Sequence, residues 1–219
     1  MRADFRHQLD ALRADLGAMC DLAGHAIGLA TDGLLDADAE AARRVVVDVA
    51  RLRSLHNDLE RRTLGILARQ APVAGDLRAV VTAIHIAADA DRMGGLAAHV
   101  AKLVLRRHPE RAVPDEMRER FQEMGRLAVT LCECCRVALV AEDGAQAHRV
   151  MDDDQTMETL HRELFVAVTN QRWTHGPGAA SDIVLLGRFY GRFADHADAI
   201  ARRVIFQTSG HPAPREEAG

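Results

Sequence analysis

The chain has 219 residues, 48% of them hydrophobic but only 4% aromatic, and carries a formal net charge of −4. Alanine, leucine and valine supply the apolar content, and such small aliphatic side chains favour close-packed helices, so composition points to an all-α protein. A net negative chain without a basic run is a poor match for nucleic acid, whose binding rests on phosphate neutralisation. No apolar run reaches the ~18 residues of a membrane span, and Met1-Arg-Ala-Asp-Phe-Arg-His7 lacks the apolar core of a signal peptide. A cytoplasmic protein without membrane insertion is therefore expected.

Six long helical patterns follow in order, rods of roughly 40 to 48 Å at the α-helical rise. The first runs from about Asp4 to Leu35, with Leu9, Leu12, Leu16, Met19, Ala23, Ala26, Ala30 and Leu34 recurring at three and four. Asp36 and Asp38 offer cap oxygens to a second helix that extends to about Ala68. Pro72 and Gly75 break it, and Asp76 is the expected cap of a third, which ends on the cationic turn Lys102, Arg106, Arg107 and His108.

Pro114 suits the first position of helix four, with Asp115 and Glu116 favourable in its first turn. Asp143-Gly144 turns the chain into helix five, which runs to about Gln171, and Ser181 is the expected cap of helix six. Helix six carries a bulky stripe of Ile183, Leu186, Tyr190, Phe193, Ala197, Ile200 and Val204, predicted to face the core. Beside it, Gly187, Gly191 and Ala194 form a small stripe that permits close approach by another backbone and is the candidate partner surface. The tail, residues 209–219, has no periodicity and is expected to be disordered.

The chain repeats itself. Asp89 to Val104 lies on Phe189 to Val204 at an offset of one hundred, matching Arg92 with Arg192, Ala97 with Ala197, Ala101 with Ala201 and Val104 with Val204. Met19 to Asp48 lies on Met124 to Asp153, and the match continues through His56 with His161 and Leu59 with Leu164. The change of offset falls where Gln70 to Gly75 corresponds to the loop Thr174 to Ala180, and loops tolerate length changes. Two tandem, pseudo-symmetric three-helix bundles follow, with boundaries at residues 4–108 and 114–208.

With this repeat, Ala71-Pro-Val-Ala-Gly-Asp-Leu-Arg78, Asp91-Arg-Met-Gly94 and Arg192-Phe-Ala-Asp-His-Ala197 resemble the PhoU family of phosphate-signalling regulators, from about Phe5 to Gly210. The resemblance implies a cytosolic adaptor that represses the phosphate-starvation response when phosphate is plentiful. It would link a phosphate-specific ABC transporter, chiefly its ATPase subunit, to a sensor histidine kinase, peripheral to the membrane through those partners and as a homodimer. Repression needs differential affinity for one partner state, because equal binding shifts nothing.

The resemblance also implies paired carboxylates four residues apart on the second and third helix of each repeat, which hold metal ions in some members. Each pair is incomplete here: Asp48 meets Leu52, Asp153 meets Met157, Asp91 meets Gly95, and Asp195 is preceded by Gly191. Four candidates remain, Asp48, Asp91, Asp153 and Asp195; two from each half could still meet across the second and third helices, and a single divalent ion there is one expectation. The simpler one is surface ion pairs with Arg92, Arg188 or Arg192.

Glu158-Thr-Leu-His161 has the Glu-x-x-His spacing of di-iron bundles, so a metal-binding storage or oxidase protein is the alternative function. Its repeat counterpart, Arg53-Ser-Leu-His56, cannot ligate through arginine, and structural roles are expected for both histidines. Cys132, Cys134 and Cys135 have no second cysteine cluster to complete a zinc site. His85 and Asp89 share a helical face as a surface pair, and Trp173 is read as packing on the end of the bundle. No Walker loop, dinucleotide fingerprint or nucleophile elbow occurs, so no enzymatic activity is expected.

Overall fold

A computed structural model describes residues 2–211. Within them lie six α-helices: α1 (Arg2–Asp36), α2 (Ala39–Gln70), α3 (Ala74–Arg107), α4 (Arg118–Ala141), α5 (Gly144–Thr169) and α6 (Gly176–Ser209). Of the tail expected to be disordered, Ser209 closes α6, Gly210 is its left-handed C-cap, and residues 212–219 lie outside the described part.

Local chemistry sets the boundaries. Asp38 caps α2, accepting hydrogen bonds from the backbone N–H groups of Glu40 and Ala41, and Asp143 caps α5 by accepting from Ala145. Such caps contribute about 1 kcal/mol each. The other two expected caps are displaced. Helix α3 starts at Ala74 behind Val73, so Asp76 sits in the first turn as a favourable charge at the positive end of the dipole. Helix α6 starts at Gly176, five residues before Ser181, because Pro177 brings a backbone already set for a first helical turn. Pro114 precedes a short 3-10 turn, Asp115–Met117, and the α-helical hydrogen bonds begin only at Arg118.

Helices α1, α2 and α3 pack mutually, as do α4, α5 and α6. The two triads do not keep separate cores: one buried cluster runs from Leu9 to Val204. Between the triads each inner helix meets its own repeat counterpart, α1 against α4 and α3 against α6. The bulky stripe of α6, from Ile183 to Val204, is buried throughout as predicted.

The α1–α4 contact depends on missing side chains. A Cβ on Gly24 would stand 2.9 Å from the Cβ of Cys132, and one on Gly125 would stand 2.4 Å from Cγ2 of Thr31. Glycine therefore sets the helix spacing, and Thr31 uses the space to reach Tyr190 of α6, hydroxyl to hydroxyl, at 2.7 Å. Among the described residues, no helix is long and apolar enough to cross a membrane.

Candidate functional site

The groove between α5 and α6 gathers six ionisable side chains. It is lined by Asp154, Met157, Glu158 and His161 from α5, and by Arg188, Gly191, Arg192 and Asp195 from α6. Asp154 and Glu158 are four residues apart on one helical face, so both reach the groove. Burial first, and then the charges of Asp198, Asp195 and Glu158, push the Asp154 carboxyl up to about 6, against the pull of Arg202. Asp198 accepts from Nε of Arg202 at 2.6 Å, while its Oδ1 is buried without a hydrogen-bond partner.

The aspartates expected to meet two by two within each half have different neighbours. Asp48 lies 3.6 Å from Nε2 of His25 on α1 and 4.0 Å from Nη1 of Arg51. Asp91 faces α2 instead, 3.7 Å from Nε of Arg53. Asp153 is felt on α4 instead: Arg126 is raised first by its hydrogen bond to Glu123 and Cys134 first by burial, and the charge of Asp153 adds to both. Only Asp195 reaches the α5–α6 groove. One residue of helix is a rotation of about 100°, so the groove position is Asp154 and not Asp153. Asp154 and Glu158 stand in the sequence at the same four-residue spacing, one place beyond the Asp153–Met157 register.

Whether this donor set fits a divalent ion can be judged from its chemistry. Among the described residues, no three His, Cys, Asp or Glu side chains converge as ligands. Two guanidiniums, Arg188 and Arg192, share the groove with the carboxylates. In the first repeat Arg53 stands where Glu158 stands in the second, and its cation already faces Asp91. The residues do not fit a hard cation that seeks only oxygen ligands.

Expected ion pairs also change partners. Asp91 is held by Arg53 and not by Arg92, and Asp89 turns away from His85 into the α3–α6 seam. There its Oδ1 accepts from Nδ1 of His196 at 3.0 Å and its Oδ2 from Arg203 at 2.6 Å. Further along the seam, buried Asp182 accepts from Arg106 at 2.9 Å and from Arg107 at 2.5 Å. The cationic turn at the end of α3 is thus an anchor for α6 as well as a dipole partner. Sequence spacing gave no sign of either cluster, since their members are 75 to 114 residues apart.

The small stripe on α6 is filled from within the chain. Gly187 and Ala194 are buried, and a Cβ on Gly187 would stand 2.9 Å from Cδ2 of His161 and 3.0 Å from Cδ1 of Leu164. The backbone that approaches it is α5, so Gly187 and Ala194 are not an open partner surface; Gly191 alone borders the groove. His56 donates from Nδ1 to the Ala87 carbonyl at 3.1 Å, tying α2 to α3. Trp173 donates from Nε1 to the Gly176 carbonyl at 2.9 Å, fastening the start of α6. Cys20, Cys132 and Cys135 are buried, and burial pushes the Cys20 thiol up to about 12, so these are packing residues.

Together, the repeated helices and the shared core define an all-helical, two-repeat protein. A PhoU domain model matches residues 16–104 and again residues 121–204. The chain is 48% identical over 210 residues to the phosphate-specific transport system accessory protein PhoU homolog 2 of Mycobacterium tuberculosis, covering 96% of this chain and 99% of that protein. It is 46% identical to homolog 1 of Mycobacterium leprae, covering 96% and 95%. Crystal structures of PhoU from Pseudomonas aeruginosa and Streptococcus pneumoniae share the fold, with TM-scores of 0.82 and 0.83 at 24% and 19% identity. They cover 94% and 96% of this chain, and all of each structure. The chain belongs to the PhoU family.

Proposed function

We propose that this chain is an accessory regulator of phosphate transport. In the finer form of the proposal, it is a negative regulator of the phosphate-starvation response and of phosphate uptake in cellular phosphate homeostasis. It acts in the cytoplasm as an adaptor, a homodimer linking the ATPase subunit of a phosphate ABC transporter to a sensor histidine kinase.

The observation that carries this proposal is the near-complete overlap, at 48% identity, with a relative named as an accessory protein of phosphate-specific transport. The outward-facing helices and their charged side chains are compatible with binding, since they offer long surfaces on rigid rods. For repression, the adaptor must bind one state of kinase or transporter more tightly than the other.

A phosphatase reporter in a deletion strain at high phosphate tests the reading. The expected result is constitutive expression that the intact chain silences. A reporter that is silent in the deletion, with no change on complementation, counts against it.

A further inference from the structure

The α5–α6 groove holds charges of both signs that do not pair with one another. Among the described residues, no carboxylate lies within ion-pair distance of Arg188 or Arg192, and neither Asp154 nor Asp195 has an ion-pair or hydrogen-bond partner. Glu158 differs, since it accepts from Arg162 at 3.2 Å. Half-buried His161 lines the same groove and has no hydrogen-bond partner among the described residues. Elsewhere in the fold opposite charges close on each other, as Asp182 does on Arg106 and Asp198 on Arg202.

The charges are also sorted along the groove. His161 stands against Gly187 and Gly191, while the charges of Asp195 and Asp198 fall on Asp154, so α5 and α6 run antiparallel. Arg188, beside His161, marks one end of the groove, and Asp154 with Asp195 marks the other. From the two arginines to Asp195 the helix climbs about 5 to 10 Å at its rise of ~1.5 Å per residue. Gly191 keeps the floor between the ends open, since a Cβ there would stand 3.9 Å from Nδ1 of His161. The groove encloses about 160 Å³, below the roughly 300 Å³ at which drug-sized ligands are held.

We propose that this groove binds a small zwitterion, an ammonium group joined by a short methylene chain to an oxyanion, with the oxyanion on Arg188 and Arg192 and the ammonium on Asp154 and Asp195. A guanidinium fork suits a carboxylate or a phosphate equally. An ammonium brings three rotatable donors and needs no fixed coordination geometry, unlike the hard cation that this donor set does not fit. A simple anion would meet the carboxylates, and a simple polyamine the guanidiniums, so a ligand of one sign is opposed at one end. An α-amino acid carries its charges on adjacent carbons, too close together to span the groove. The volume excludes a nucleotide or a peptide helix. This inference goes beyond the regulatory reading and does not rest on it.

The test is calorimetric titration of the full chain, in chelator at low ionic strength, with 5-aminopentanoate and 3-aminopropyl phosphate as the two oxyanion arms. Pentanoate, pentylamine and glycine are controls that lack one charge or the span. The expected result is saturable binding of at least one arm, about tenfold or more tighter than any control. That binding should weaken by about tenfold or more in Arg188→Gln/Arg192→Gln and in Asp154→Asn/Asp195→Asn, and persist in Arg44→Gln on α2. The arm that binds identifies the oxyanion. Circular dichroism checks folding, and the exposed single variants Arg192→Gln and Asp195→Asn replace the double ones if helix content falls. No binding of either arm at about ten millimolar, equal binding of a control, or binding that survives both groove variants would overturn the proposal. A reporter result against the regulatory reading leaves this titration unchanged, so the two fail separately.

Discussion

Asp89 of α3 and His196 of α6 meet 3.0 Å apart, Oδ1 to Nδ1, with both side chains buried at the seam between the repeats. Arg203 completes the cluster at 2.6 Å from the other carboxylate oxygen. Removing one member of a buried charged set costs more than the set contributes, because the remaining groups lose their partners while staying out of water. Asp89→Ala should therefore lower unfolding free energy by about 3 kcal/mol, read as a drop in the urea midpoint with an unchanged slope. A loss below about 0.5 kcal/mol would mean that water replaces the carboxylate.

Gly125 and Thr31 set a second test. Alanine is the better helix former by about 1 kcal/mol, yet its Cβ would enter the space held by Cγ2 and Oγ1 of Thr31, at 2.4 and 2.6 Å. The overlap outweighs propensity, and Gly125→Ala should destabilise by roughly 1 to 2 kcal/mol net. In a Thr31→Ala background the two closest atoms are gone, so the same substitution should cost less. A double-mutant cycle with no coupling would contradict this packing.

The raised carboxyl of Asp154 fixes a pH dependence. Its ordinary value of 3.8 rises to about 6 in the folded chain, so the fold favours the protonated form. The wild type should lose stability as pH rises from about 4 to about 6, with the full cost present above that window. Asp154→Asn removes the charge, and should be more stable than wild type by roughly 1 kcal/mol at pH 7 after allowance for the half-exposed site. At pH 3.5 the gain should vanish. A variant less stable than wild type at pH 7 would show that Asp154 is stabilised by a partner instead.

The donor chemistry of the α5–α6 groove leads to a thermal test. Millimolar Mn²⁺ or Mg²⁺ should leave the melting temperature within about 1 °C of the chelator-treated chain, since a tight ligand raises it by mass action. A rise of several degrees that a chelator reverses, and that Glu158→Gln abolishes, would show that the groove rearranges around an ion.

The fold was legible in the sequence because each helix repeats its apolar residues at three and four, and because the second half restates the first. That periodicity is local, and it survives in the burial of Ile183, Leu186, Tyr190 and Phe193. Two helix starts differ from expectation, because Val73 and Pro177 mark the turns where Asp76 and Ser181 are the obvious cap residues. The site was only partly legible: Asp195 and His161 were singled out, whereas Asp154 was missed by one position in a run of three aspartates.

The sequence alone determined an all-helical chain with two related halves and the residues that give it membership of its family, because helical period and repeat are properties of neighbours along the chain. The tertiary structure decided which charges meet. Asp89 with His196, Asp182 with Arg106, and Arg53 with Asp91 are joined by the crossing of helices. Whether α6's small residues face a partner or α5 depends on where the neighbouring helix lies, and the short distance from Gly187 to His161 answers it. Spacing along one helix fixes the face on which a side chain stands; only packing fixes what stands opposite.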